Sequence, residues 1–111
     1  MGRVGPEERF AALVDELSGE PGVQAPSAEG GHRFGADALR VDGSIFAMLT
    51  HGALVVKLPA PRVAELIANG GGGPFTVGKD RPMREWLTVS PDADWSGLAR
   101  EAYAFVGARK P

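Results

Sequence analysis

The chain has no cysteine. Disulfides, thiolate metal ligands and a cysteine nucleophile are therefore excluded. Histidine is scarce, with only His32 and His51. Two isolated histidines make a poor metal site, and no metal or other cofactor is expected. No apolar run approaches the roughly 18 residues of a membrane span, so no membrane role is expected. Residues 1–6 lack an apolar targeting stretch, and Pro6 stands where a myristoylation pattern needs Ser or Thr. A reducing, cytoplasmic location is expected. Charge of one sign is also lacking: 12 Lys and Arg against 14 Asp and Glu leave a net charge of −2. That argues against strong non-specific binding to nucleic acid, which draws its affinity from cations neutralising phosphates.

The 111 residues, 43% of them hydrophobic, fit a single domain over 1–111. A domain of this size buries roughly two-thirds of its unfolded surface, enough for one core. The abundant glycine (16) and proline (9) fall largely between periodic segments and mark loops.

A first helix is predicted over 6–18. Pro6 suits the first helical position, and Glu7 and Glu8 favour the positive end of the helix dipole. Phe10, Leu13, Val14 and Leu17 repeat at the spacing of one buried stripe. Residues 20–35 read as a long loop with brief strand pairing at 23–25. Three strands are predicted at 38–41, 44–50 and 53–58. Asp42-Gly43 is a strong hairpin signal, because both residue types tolerate the positive φ of a type I′ turn. His51-Gly52 is a weaker one. The result is an antiparallel meander.

Two-residue turns fix a register. They place Ala38, Ile45, Ala47, Leu49, Leu54, Val56 and Leu58 on one face, with Arg40 at its margin. They place Leu39, Val41, Phe46, Met48, Val55 and Lys57 on the other. Helices are expected on the first face. The second is too apolar for a solvated sheet face, so a covering element or second subunit is expected there.

A second helix is predicted over 60–68, with Val63, Leu66 and Ile67 on one apolar side. Gly70, Gly71, Gly72 and Gly73 are expected to form a mobile loop. A short edge strand at 74–77, a polar turn at 78–83, a strand at 84–90 and a last helix over 95–108 follow. Asp92 or Asp94 is placed to cap that helix. The fold class is α+β, order α-β-β-β-α-β-β-α, a twisted antiparallel sheet with helices on one face.

Three stretches carry a resemblance: 40–50 with 54–59, then 62–67, then Pro74-Phe75 with the run Gly78-Lys79-Asp80-Arg81-Pro82-Met83-Arg84-Glu85-Trp86. Over about residues 7–108 the chain resembles the N-terminal domain of TfoX/Sxy-type proteins, and it is similar in size to the related YjbR/MmcQ group. The resemblance implies a secretion-chaperone-like α+β fold, a bacterial origin and no established catalytic residues. The family's founding members are linked to competence regulation and carry a C-terminal helical domain, whereas this chain ends at Pro111.

Searched for chemistry, the sequence gives little. No serine lies in a Gly-x-Ser-x-Gly elbow. The glycine run at 70–73 follows a helix and lacks the Gly-Lys-Ser/Thr ending of a phosphate loop. Two candidates remain. Lys79, Arg81 and Arg84, with Arg62, form a basic group beside Trp86 suited to an anion or an acidic partner. Leu39, Val41, Phe46, Met48 and Val55 form a candidate apolar interface. The sequence thus points to a non-catalytic interaction module, monomeric or homodimeric, with an unidentified protein partner. Nucleic-acid binding through the basic loop is the alternative, and a small-molecule carrier or enzyme ranks third.

Overall fold

The computed structural model describes residues 5–24, 38–50, 52–77 and 81–108, with side chains described except at 76–77 and 81–83. Helix α1 (Pro6–Leu17) opens on Pro6, and the Gly5 N–H donates to Glu8 Oε1 at 2.9 Å. Strands β1 (Val23–Gln24), β2 (Ala38–Val41), β3 (Ser44–Thr50) and β4 (Ala53–Lys57) follow. Then come α2 (Ala60–Ala68), β5 (Gly72–Val77), β6 (Arg81–Val89) and α3 (Trp95–Ala108). Six strands form one antiparallel sheet in the order β1-β2-β3-β4-β6-β5. The expected α+β order therefore stands, with β1 as the brief pairing at 23–24. No helix among the described residues is long and apolar enough to cross a membrane.

The punctuation works as the residue types dictate. Asp42 and Gly43 both adopt positive φ (53° and 90°), as a type I′ turn requires. Helix α2 ends where Gly70 takes a φ of 84°. There the Gly70 N–H donates to Ile67 O and the Gly71 N–H to Leu66 O, the paired bonds of a Schellman stop. Asp94, rather than Asp92, caps α3: its Oδ1 accepts the Gly97 N–H at 3.0 Å.

One expectation about the glycine run is corrected. Gly72 and Gly73 belong to β5, paired with Val89 and Thr88. A Cβ on Gly72 would collide with the Thr88 carbonyl oxygen and come within 2.9 Å of Leu87 Cδ1. Glycine stands there because two backbones approach too closely for a side chain.

All three helices pack on one face of the sheet. The main core joins Phe10, Leu13 and Leu17 of α1, Val63 of α2, and Leu98, Ala99, Ala102 and Val106 of α3 to the strand residues beneath. Those strand residues include Leu39, Val41, Phe46, Ala47, Leu54, Val56, Leu87 and Val89. A smaller cluster of Ala38, Met48 and Val55, flanked by Ile45, Phe75 and Trp86, occupies the opposite face.

This division overturns part of the expected register. Val41 pairs with Ser44 and Arg40 with Ile45, as two-residue turns demand, but Leu39 pairs with Ala47. Phe46 is the extra residue of a β-bulge, and the alternation changes phase there. Leu39, Val41 and Phe46 consequently lie in the helix-covered core, while Ala38 and Ile45 lie on the opposite face. From Ala47 onward the expected faces are correct.

Candidate functional site

Of the basic candidates, Lys79 lies outside the described residues. Arg81 begins β6, its backbone paired with Val77, and its side chain is outside the described set. Arg62 is not an open anion site. Its Nε donates to Glu101 Oε1 at 3.0 Å, its Nη2 to Glu101 Oε2 at 2.9 Å and its Nη1 to Glu65 Oε1 at 3.1 Å. The Glu101 bonds, then those to Glu65, push its pKa above the ordinary guanidinium range. The clamp fastens α2 to α3, so Arg62 serves the fold. Arg84 differs: it is exposed and makes no hydrogen bond or ion pair among the described residues.

Of the apolar candidates, Leu39, Val41 and Phe46 are interior residues and are withdrawn as an interface. The bulge turned them inward. Met48 and Val55 remain on the far face, both buried.

What the fold brings together instead is a groove of about 420 Å³ between α2 and the β5–β6 hairpin. Ala60, Pro61, Val63, Ala64 and Ile67 of α2 form one wall, and Pro74, Arg84 and Trp86 form the other. Because β4 stops at Lys57 while β6 continues to Arg81, the hairpin runs on past the end of β4 and faces the first turns of α2. The Leu58 N–H still donates to Glu85 O at 2.9 Å, which holds the start of α2 against β6.

The groove is apolar but for Arg84, which carries the one charge among the described lining residues. Ile67 is 37% exposed, a notable leftover for a large aliphatic side chain. Trp86 joins the groove to the far face of the sheet. Its ring tilts against Phe75 with centroids 6.4 Å apart. Lys57 Nζ lies 5.3 Å from its centroid, within cation–π range, and 3.9 Å from Glu85 Oε1.

The sequence reading missed this site because it assigned Ile67 to the core side of α2 with Val63 and Leu66. The available signal was that α2 is apolar on two sides, with Ala60, Ala64 and Ile67 one turn apart on the second.

A wider depression of about 1400 Å³ lies between α1, the start of α3 and the glycines at 70, 72 and 73. Several of its charged groups are committed to the fold. Arg9 stacks on Trp95 at 3.8 Å and donates to Pro91 O at 2.7 Å. Glu16 accepts from Ser96 Oγ at 2.6 Å and from Arg100 Nε at 2.8 Å, and these bonds lower its pKa. Among the described residues, no group of three or more His, Asp or Glu is placed to hold a metal ion. His32 and His51 lie outside them.

No family model matches the chain, and neither the curated proteins nor the solved structures contain a match.

Proposed function

We propose that this domain is a cytoplasmic protein-interaction module that works by binding rather than by turnover, in keeping with its resemblance to TfoX-type N-terminal domains. The observation that carries this reading is the apolar groove between α2 and the β5–β6 hairpin, with Ile67 and Arg84 exposed along it. Exposed apolar surface bordered by polar groups is characteristic of docking sites. Cross-linking capture in bacterial cells tests the idea, with the full chain compared against Ile67→Glu. A reproducible partner that the variant loses is expected. Failure to capture any partner, together with substrate turnover by the purified chain, would sink the reading.

A second reading is nucleic-acid binding. Arg84, exposed and without a partner among the described residues, and the Trp86 indole line the same groove, a combination suited to a backbone phosphate and a stacked base. A mobility-shift assay at about 50 mM salt decides it, since electrostatic binding is strongest at low ionic strength. The net charge of −2 ranks it below the protein partner.

A further inference from the structure

The chemistry of the groove specifies its occupant more narrowly, on the premise that the domain is a binding module. We infer that the groove seats a short amphipathic helix of a partner protein, whose apolar stripe lies along α2 and whose carboxylate pairs with Arg84.

Three observations lead there. First, the wall from Ala60 to Ile67 spans about two helical turns, roughly 10 Å. Ala60 and Ala64 leave room for inserted side chains, while Ile67, Pro74 and Trp86 give them apolar contact. That is the geometry of helix-in-groove recognition, with anchors one turn apart. Second, the groove is shallow. Pro61, Ala64, Ile67, Pro74 and Arg84 are all exposed, whereas small-molecule sites enclose most of their ligand. Third, the charge is unanswered. Arg9, Arg62 and Arg100 are each held by acceptors of this chain, but Arg84 is held by none among the described residues. A guanidinium at the edge of an apolar surface favours a carboxylate, which it can grip with two parallel bonds.

The same charge argues against a second copy of this chain. A two-fold pairing presents the groove to itself. It would bring Arg84 against a lining that offers no carboxylate among the described residues.

The test selects random 16-residue peptides on the full-length chain by phage display and measures the best binder by fluorescence anisotropy. The expected winners combine two apolar residues three or four apart with an adjacent Asp or Glu. Ile67→Glu and Arg84→Glu should each weaken binding by about tenfold or more, as loss of an anchor or reversal of a pairing charge does. Replacing the peptide's acid with Lys should restore binding to Arg84→Glu. Both substitutions are at exposed positions, and circular dichroism checks that each variant folds. Winners without an acid, winners indifferent to both substitutions, or self-association abolished by Ile67→Glu would each overturn the inference. If cellular capture depends on Ile67 but tolerates Arg84→Glu, the module reading stands and this inference falls. If no partner is captured and the purified chain turns over a substrate, the module reading itself falls.

Discussion

Phe46→Ala tests the bulge and, through it, the assignment of the two sheet faces. Phe46 is fully buried. Its ring meets Tyr103 of α3 edge-on, with centroids 5.7 Å apart and planes at 61°. Transfer of such a side chain out of water contributes about 1.5–3 kcal/mol. The aromatic pair adds about 0.5–1.5 kcal/mol, and truncation leaves a cavity that the surrounding core closes only in part. The expected loss is about 3–5 kcal/mol, a large share of the roughly 5–15 kcal/mol typical of a whole domain. Urea denaturation followed by far-ultraviolet circular dichroism measures it. With a slope of about 1.5 kcal/mol/M, the midpoint should fall by about 2–3 M at unchanged slope. Ile45→Ala is the control. Ile45 is half-buried on the opposite face, so its truncation should cost clearly less. Strict alternation from the Asp42-Gly43 turn demands the reverse ranking. A loss below about 1 kcal/mol for Phe46→Ala, or a larger loss at Ile45, would refute the bulged register.

Two further outcomes follow from local geometry. Glu16 is more acidic folded than unfolded, because Ser96 and then Arg100 bond its carboxylate. Its contribution to stability is therefore complete above the unfolded pKa, about 4.3, and is lost as pH falls through the lower folded value. Urea midpoints measured from pH 7 to pH 3 should fall less steeply for Glu16→Gln than for wild type below that point, and coincident curves would contradict the assignment. Gly72→Ala should lower the melting temperature by several degrees, since its Cβ meets the Thr88 carbonyl oxygen. Gly73→Ala, with nothing within 4 Å of its Cβ, should be neutral or stabilising by up to about 1 kcal/mol. Equal effects at the two glycines would refute the close approach.

The element order was readable because its signals are local. Proline and acids open α1, Asp42-Gly43 makes a turn few other pairs allow, and apolar spacing marks each helix. The face assignment failed up to and including Phe46 for a physical reason. The segment Ser-Ile-Phe-Ala-Met-Leu-Thr is apolar at consecutive positions, so nothing in it marks the phase of alternation or a residue that breaks it. Gly72-Gly73 misled because low strand propensity yields to tertiary demand when backbones must touch. Arg62 misled because Glu101, which takes two of its three bonds, lies 39 residues away, beyond any spacing rule; only Glu65, three residues on, was within one. The groove was hidden because it is made of small and ordinary apolar residues that become a site only when β6 outruns β4.

The two rims of the sheet carry a consequence of their own. On one side the terminal strand, β1, is two residues long. On the other, β5 includes Pro74, which has no N–H to offer, and its register shifts between Pro74 and Thr76. Among the described residues, neither rim gives an incoming strand a long uninterrupted row of donors and acceptors. Growth of the sheet by addition of foreign strands is thereby discouraged, even though the sheet is open rather than closed into a barrel. Association at the described rims is thereby directed toward side chains instead of exposed backbone.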